Sequence, residues 1–454
     1  MNNQIRIHQL FKQLPLLLIA LLLKTTGFGQ NPLIRNQFTA DPTARVFGNK
    51  VFLFPSHDIL ATESKGRKGW FCMEDYHVFS SEDLTEWTDH GVIVTQNKVP
   101  WVRPDSYSMW APDCIERNGR YYFYFPSAPA DTVKYGRGFA IGVAVADKPE
   151  GPYTPEPTPI LNVHGIDPNV FIDKDGQAYL YWSAGHIYGA KLKDNMKELD
   201  SEVKILGDFP TKGLKEGPFV FEREGVYYLT YPHVANKTEQ LEYAISDNPL
   251  GPFKVTGVIM DESPTGCWTN HHSIIKRKDQ WYLFYHHNDY SPAFDKARSV
   301  RADSLFFNED KTIRKVNPTL RGIGLTAASR KIEIDRYTAI SPSGAAIAAF
   351  DTSNRFAGWK TILSSAGAWI QYNSVLFDNQ RTVLLNYKTS DEQAIIEIRT
   401  GQADGPLIGL LKPGRSESWK TITVKLLKSV KGKQHLFIRL RSNEPVEINW
   451  IQFN

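Results

Sequence analysis

HGIDPNVFIDKDGQAYLYWSAG, residues 164–185, is the stretch that decides the fold of this chain. It begins with an acid followed by proline, continues through a short apolar step and a charged turn with glycine, and ends in an aromatic-rich run. Val, Ile, Phe and Tyr suit a half-buried pleated surface, and Asp-Gly between two such runs marks a tight turn. The stretch therefore predicts a β-hairpin that opens near Asp167.

The same pattern recurs four more times. The related stretches are ADPTARVFGNKVFLFPSHD from Ala40, WAPDCIERNGRYYFYFPSA from Trp110, KEGPFVFEREGVYYLTYPH from Lys215 and NHHSIIKRKDQWYLFYHH from Asn270. A second periodic signal, Gly-Pro before an aromatic residue, follows a small apolar strand at 151–153 and 251–253. Five copies of a four-stranded unit predict a five-bladed β-propeller, in which radial repetition protects the sheet edges.

Three of the five copies open on a carboxylate: Asp41 before proline, Asp167 before proline, and Glu216 before Gly-Pro. The innermost strands of a propeller begin around its central channel, so we expect the three acids to share one pocket. Crowded carboxylates repel, and at least one should stay protonated at neutral pH. An isolated acid at such a step can simply cap a turn. Three in corresponding positions favour acid/base chemistry on a glycosidic bond.

Charge and cysteine content exclude several classes of protein. Residues 1–29 carry three basic residues and no acid, so the formal net charge falls from +4 to +1 without them. Nothing in that balance predicts a nucleic-acid or anionic-membrane partner. Cys72, Cys114 and Cys267 are too few and too scattered for a disulfide framework or a zinc site, so we expect three buried apolar residues.

The chain divides into three segments. Residues 1–29 place Arg6 and Lys12 before the apolar run LPLLLIALLL and then small residues, which is typical of a secretory signal peptide. An uncleaved membrane anchor is the alternative, although the run is short for a bilayer. Residues 30–324 form the predicted propeller. Residues 325–454 show short alternating strands between Gly, Asn and Ser turns, which predict a β-sandwich of the jelly-roll type. The mature protein is expected to be secreted or periplasmic, and a monomer.

The motifs ADPTARVFG, WAPD, GIDPNVF, KEGPFVF, NHHSII and RSVRADSLFFNEDKTI make residues 31–315 resemble glycoside hydrolase family 43. The resemblance implies an inverting enzyme on a five-bladed propeller that acts on arabinose- and xylose-containing polysaccharides and needs no cofactor for catalysis. Asp41 would be the general base, Glu216 the general acid, and Asp167 the residue that holds the acid and raises its pKa. An inverting pair is expected about 6.5–9.5 Å apart, which leaves room for water.

Further residues are candidates for substrate binding. His271 and Arg298 match a channel histidine and a substrate-reaching arginine of the family, and Trp110 and Trp268 can stack on a sugar face. His57 and Asp58 close the first hairpin where they can face the pocket. Each also has a structural interpretation, as core, surface ion pair or turn.

The second domain resembles carbohydrate-binding module family 6, through KIEIDRYTA, GAWIQYNSVLF, ADGPLIGLL and VEINWIQF. The resemblance implies a structural calcium held by Glu333, Asp335 and Asn449, although Asn449 stands where an Asp is usual and neutralises less charge. Trp369 and Tyr372 are candidates for its sugar site. The domain can equally be a spacer without a ligand.

The resemblance to family 43 implies an α-L-arabinofuranosidase, a β-xylosidase or an enzyme with both activities. The alternatives are an endo- or exo-arabinanase of the same family and a non-catalytic glycan-binding propeller. Relatives of invertase are disfavoured, since that group has Asn-Asp-Pro, Arg-Asp-Pro and Glu-Cys where this chain has Ala-Asp-Pro, Ile-Asp-Pro and Glu-Gly. The sequence does not separate arabinofuranosides from xylosides.

Overall fold

The computed structural model describes residues 31–210, 212–334, 336–354 and 356–454, and these form two β-domains in series. The predicted signal peptide lies outside the described residues. Helix is confined, within the described part, to one short α-helix, α1 (Thr132–Tyr135), and one 3₁₀ turn (Gln96–Lys98). None of the described helices is long and apolar enough to cross a membrane.

The first domain is a ring of five antiparallel sheets, which confirms the predicted propeller, although the fifth sheet has three strands and not the predicted four. Blade one contains β1 (Phe38–Phe47), β2 (Lys50–Asp58), β3 (Asp75–Ser81) and β4 (Thr88–Thr95), and blade two contains β5 (Asp113–Arg117), β6 (Arg120–Ser127), β7 (Ala140–Ala146) and β8 (Thr154–Pro155). Blade three contains β9 (Ile166–Ile172), β10 (Ala178–Ser183), β11 (Ile187–Lys191) and β12 (Lys204–Ile205). Blade four contains β13 (Phe219–Arg223), β14 (Val226–Val234), β15 (Glu239–Ser246) and β16 (Lys254–Met260), and blade five contains β17 (His272–Arg277), β18 (Gln280–His287) and β19 (Ser299–Leu305).

The inner hairpins form because their turn residues accept left-handed backbone. Asn118 and Gly119, between β5 and β6, have φ of 53° and 73°, and Glu224 and Gly225, between β13 and β14, have 54° and 81°. Positive φ at both central positions gives a two-residue turn whose twist matches the flanking strands. All five hairpins predicted from the repeat are present.

A separate apolar cluster lies between each pair of neighbouring blades. The cluster between blades one and two includes Phe54 and Phe123, and the one between blades five and one includes Leu53 and Phe284. Three further clusters join blades two to three, three to four and four to five. Adjacent residues of β2 enter different clusters, so the alternation of side chains along the strand packs one blade against both of its neighbours. The predicted burial of Cys72, Cys114 and Cys267 is confirmed, and all three are free.

The segment before β1, together with the first residues of β1, closes the ring against blade five. The amide of Leu33 donates to the carbonyl of Val300 at 2.8 Å, and that of Thr39 donates to the carbonyl of Arg298 at 3.0 Å. The buried Asn31 side chain accepts from the Ala302 amide at 2.8 Å and donates to the Ala302 carbonyl at 3.0 Å. The first residues of the domain are thus hydrogen-bonded along the last strand of its fifth blade.

The second domain is a sandwich of two sheets, each with six strands among the described residues, which confirms the predicted sandwich. Its strands are β20 (Thr326–Ala327), β21 (Ile332–Glu333), β22 (Ala339–Ile340), β23 (Ala345–Ala349), β24 (Trp359–Leu363), β25 (Trp369–Asp378), β26 (Thr382–Thr389), β27 (Ile396–Thr400), β28 (Leu407–Leu411), β29 (Ser416–Lys425), β30 (Lys431–Leu440) and β31 (Val446–Phe453). One sheet has the order β20-β25-β30-β27-β28 with β22 on β25, and the other has β23-β24-β31-β26-β29 with β21 on β31. The sandwich contacts the propeller through Phe356. The centre of the Phe356 ring lies 5.2 Å from that of the Phe38 ring and 5.4 Å from that of the Tyr290 ring.

Candidate active site

Two of the three acids predicted from the repeat sit on strained backbone at the channel end of an inner strand. Asp41 has φ of 46° at a register shift in β1, and Asp167 has φ of 58° at a register shift in β9. A left-handed residue at a bulge turns its side chain out of the regular alternation. In blade four the left-handed residue is Gly217, directly after Glu216, with φ of 55°. A Cβ there would meet His271 Nδ1 and Pro232 Cγ at 2.9 Å, so only glycine fits beside the third acid.

All three acids line one cavity of about 650 Å³, measured with its open mouth. That volume suits one or a few sugar units. Arg298, Trp110, Trp268 and His271, four of the six residues predicted to bind substrate, line the same cavity. Trp70 and Phe71 add aromatic surface that the repeat did not reveal, because both lie in the loop between β2 and β3.

Arg298 fixes Asp41 as a carboxylate. Its Nη1 donates to Asp41 Oδ1 at 2.7 Å, and Ser56 Oγ donates to Asp41 Oδ2 at 2.7 Å. Burial, the largest influence, would raise the pKa of Asp41, yet the charge of Arg298 and the imidazoles of His286 and His271 outweigh it and lower that pKa to about 2. Asp41 is therefore ionised throughout the pH range in which proteins work.

Arg298 is itself held by Asp58, which lies behind it rather than on the cavity. The Arg298 Nε and Nη2 donate to the two carboxylate oxygens of Asp58, both at 2.9 Å, and the Arg298 amide donates to Oδ2 at 2.9 Å. The guanidinium carbon also lies 4.9 Å from the centre of the Phe71 ring. A two-pronged pair of this kind fixes the direction of the guanidinium as well as its position.

His286 orients Asp41 through the backbone. The Asp41 amide donates to His286 Nδ1 at 3.0 Å, so that nitrogen is an acceptor, and Nε2–H donates to the Thr269 carbonyl at 3.1 Å. Burial lowers the pKa of His286 to about 3, and the charge of Arg298 acts in the same direction. At neutral pH this imidazole is therefore uncharged and supports the strained aspartate through the hydrogen bond alone, and it becomes charged only near the acidic pH at which Asp41 itself titrates.

Asp167 lies beside the backbone of the third acid. Its Oδ2 accepts the amide hydrogen of Gly217 at 2.9 Å, which ties blade three to the residue that follows Glu216. Burial, followed by repulsion from Glu216 and Asp41, raises the pKa of Asp167 well above its usual value. Glu216 is partly open to the cavity, and burial raises its pKa to about 7, with the Asp41 charge acting in the same direction.

A fourth acid, Glu239 at the start of β15, contacts Glu216 from within the protein. Glu239 is fully buried, and its Oε2 accepts a hydrogen bond from the backbone amide of Asn270 at 2.6 Å. Its Oε1 receives no hydrogen from the described residues, although its carboxyl is within hydrogen-bond reach of that of Glu216. Two carboxyls in contact need a proton between them, and burial followed by the charge of Glu216 raises the pKa of Glu239 well above its usual value.

The prediction for His57 is corrected by the structure. His57 does not line the cavity, and its Nδ1 lies 2.7 Å from Asp75 Oδ1 on β3. The reason is strand alternation: Asp58 points from β2 toward Arg298, so the preceding residue points to the opposite face.

The two aromatic residues predicted for a sugar site on the sandwich, Trp369 and Tyr372, do not lie together on its surface. Tyr372 is buried and donates its hydroxyl hydrogen to the Ile334 carbonyl, whereas Trp369 packs edge-on against Phe437 at 5.5 Å. Residues three apart on one strand point to opposite faces, so this pair cannot form one platform.

The described part of the predicted calcium site does not suit calcium. Asp335 lies outside the described residues. The surroundings of Glu333 are cationic, with Arg35, Lys331 and Arg336 all acting on its carboxyl. The side-chain nitrogen Nδ2 of Asn449 donates to Asn386 Oδ1 at 3.1 Å. Calcium prefers several anionic oxygens, and calcium binding by the sandwich stays a prediction from the sequence.

A five-bladed propeller with three carboxyls on one sugar-sized cavity is an arrangement that suits hydrolysis of glycosidic bonds. The model of glycosyl hydrolases family 43 matches residues 30–313, and that of carbohydrate binding module family 6 matches residues 341–454. The chain belongs to glycoside hydrolase family 43.

Individual relatives agree with this assignment. Xylosidase/arabinosidase 43A of Humicola insolens is 35% identical over 338 residues, which cover 63% of this chain and 99% of the relative. The solved β-xylosidase/α-arabinofuranosidase from a compost microbial metagenome, in complex with xylotriose, is 33% identical, with a TM-score of 0.56 and coverage of 64% of this chain and 98% of the other. An arabinoxylan arabinofuranohydrolase of Bacillus subtilis, 24% identical, shares the fold across 94% of this chain and 99% of its own, with a TM-score of 0.56.

Proposed function

We propose that this protein is an exported, inverting glycosidase that removes arabinofuranosyl or xylosyl units from plant polysaccharides or their oligosaccharides. Asp41 is the general base, Glu216 the general acid, and Asp167 the residue that positions the acid and modulates its pKa. The observation that carries the proposal is the meeting of Asp41, Asp167 and Glu216 on one cavity, where Arg298 holds the pKa of Asp41 low, at about 2, and burial raises the pKa of Glu216 to about 7. A difference of this kind supports the base role for Asp41 and the acid role for Glu216 at neutral pH.

The reaction follows from these protonation states. Asp41, held ionised by Arg298, accepts a proton from water as the water attacks the anomeric carbon. Glu216 gives its proton to the departing glycosidic oxygen. Glu216 must be protonated at the start and Asp41 must not, because the reaction moves two separate protons, one from water to Asp41 and one from Glu216 to the departing oxygen.

A second hollow supports a leaving-group site on the side of the acid. It holds about 550 Å³ with its open mouth and shares Trp110 and Glu216 with the main cavity. Its wall includes Ser183, whose buried hydroxyl has no hydrogen-bond partner among the described residues. A sugar hydroxyl can satisfy such a group, and the departing sugar must lie next to the acid that protonates it.

The experiment is product analysis on arabinoxylan, debranched arabinan and xylo-oligosaccharides, together with proton NMR of the first-formed anomer. We expect release of single pentoses, and α-xylose as the first product from a β-xyloside. Products of several arabinose units from debranched arabinan would favour the arabinanase alternative. A first product with retained configuration would contradict the roles given to Asp41 and Glu216.

The pH dependence of kcat/KM should show a decline above about pH 7 and none between pH 4 and 6. A general acid with a raised pKa stays protonated until that pH, whereas Asp41 becomes protonated only near pH 2. The check is kcat/KM on a nitrophenyl xyloside or arabinofuranoside from pH 4 to 9, with stability verified at each pH. An alkaline decline that begins near pH 4.5, the usual pKa of a glutamic acid, would contradict the assignment.

Replacing Glu239 by alanine should lower kcat about tenfold and move the alkaline limit of kcat/KM upward. The hydrogen bond from Glu239 lowers the pKa of Glu216, so its loss leaves the acid harder to ionise and free to turn. Glu239→Gln keeps a hydrogen donor and should retain most of the activity and the original limit. Equal losses in both variants with an unmoved limit would indicate a structural role only.

A further inference from the structure

Three metal-ligand side chains meet on blade one, on the face of β2 and β3 opposite Asp58. They are His57 on β2 and Asp75 and His77 on β3, and one ligand atom of each lies within 4.8 Å of the others. Residues two apart on a strand project from the same face, and the neighbouring strand supplies the third corner of the triangle. The pairing of Ser56 with Tyr76 fixes this arrangement, because it places His57 beside Asp75.

The hydrogen bonds of the two imidazoles leave one nitrogen of His77 available. His57 Nδ1 lies 2.7 Å from Asp75 Oδ1. His77 Nδ1 lies 3.0 Å and 3.2 Å from the two oxygens of Asp89 on β4, so its Nε2 is the nitrogen that remains. A histidine that gives its second ring hydrogen to a carboxylate is the usual form of a metal-binding histidine, since the outer carboxylate fixes the tautomer and the ring direction.

The cluster is accessible and its surroundings are negative. The side chains of His57, Asp75 and His77 are 20%, 14% and 16% exposed. Asp75 and Asp89 face the two imidazoles, and the nearby Lys65 is paired with Glu74 at 2.9 Å. An ion can therefore reach the cluster, and its charge is partly balanced on arrival.

We propose that His57 Nδ1, the Asp75 carboxylate and His77 Nε2 bind a divalent transition-metal ion of the zinc class, with Asp89 as the outer acceptor on His77. Binding displaces the hydrogen that lies between His57 Nδ1 and Asp75 Oδ1, and the neutral imidazole then carries its one ring hydrogen on Nε2. Two imidazoles and one carboxylate suit zinc or cobalt(II), whereas calcium and magnesium take oxygen ligands almost exclusively. The ion clamps β2 to β3 one residue from Asp58, outside the catalytic cavity.

The test uses the full chain without a polyhistidine tag, stripped with chelator and then titrated with zinc chloride and separately with cobalt(II). We expect one zinc ion per chain, the intense visible absorption of tetrahedral cobalt(II), and a rise in the unfolding midpoint of roughly 5 °C at 100 times Kd. His57→Gln and His77→Gln should lose the ion and the absorption. Asp89→Asn should keep the site with zinc affinity lowered roughly ten- to hundredfold.

Controls separate this site from other places where zinc could bind. His186→Gln, an exposed histidine of blade three, should bind zinc as the unaltered chain does. Asp75→Asn provides a second ligand variant should either histidine variant unfold in the absence of metal. The proposal is overturned if the folded ligand variants bind zinc like the unaltered chain. It is equally overturned if the bound ion disappears in Asp167→Asn and survives in His77→Gln, because the ion then belongs to the catalytic cavity.

Discussion

Asp41→Asn should lower kcat by roughly 10³- to 10⁴-fold with KM changed by no more than a few fold. Asparagine has the shape of aspartate and can still accept from Ser56, but its amide cannot take a proton from water. It also removes the negative partner of a guanidinium that Asp58 continues to hold in place. The loss should therefore fall on the chemical step. The measurement is kcat and KM on xylobiose and on a nitrophenyl arabinofuranoside.

The matched control for that experiment is Asp247→Asn, the same change at an exposed position of blade four. It should leave kcat within a factor of two. An Asp41→Asn enzyme that keeps a tenth or more of the original kcat on both substrates would remove Asp41 from the role of base.

Glu216→Gln should separate substrates by the acidity of the leaving group. Glutamine cannot protonate the departing oxygen. The leaving xylose of xylobiose would then depart as a basic alkoxide, so xylobiose should be cleaved about 10³-fold more slowly. Dinitrophenolate, the leaving group of a dinitrophenyl xyloside, departs without a proton, so kcat on that substrate should fall by less than about tenfold. With the proton gone from this position, the decline of kcat/KM above about pH 7 should vanish as well.

The control is Glu224→Gln, at the exposed turn of the same blade. It should leave both substrates unaffected. Equal losses on xylobiose and on the dinitrophenyl substrate would show that Glu216 acts by binding or structure and not by protonating the leaving group. The same measurement on Asp167→Asn should give losses on both substrates, because Asp167 acts on the position of the Glu216 segment through Gly217.

The parts of this protein that a local pattern encodes could be predicted from the sequence. Hairpin turns such as Asn118-Gly119 need particular residues at particular places, and period-two apolar strands follow from side-chain alternation. The repeat then aligned Asp41, Asp167 and Glu216, because equivalent positions of a ring lie at equal distance from its axis. The predictions that depended on repetition are therefore those that agree best with the structure.

The residues that surround the acids carry no such local signal. Glu239 reaches Glu216 from the start of another strand of its blade, and His286 reaches Asp41 from a blade far along the chain. Such contacts depend on how neighbouring blades pack, which no single stretch records. His57 shows a second limit: its neighbour Asp58 faces Arg298, and one position of strand register decides which of two adjacent polar residues points toward the site.

Closing the ring through the segment that begins at Asn31 has a consequence for how the protein is made. Arg298 and Asp41 are 257 positions apart, and Asn31 and Ala302 are 271 apart. Contacts of such separation form late, since much chain entropy must be lost before they contribute. During vectorial synthesis the nascent chain exposes Asp41 long before its guanidinium partner leaves the ribosome. A fragment that stops before the fifth blade should therefore carry all three acids and lack activity.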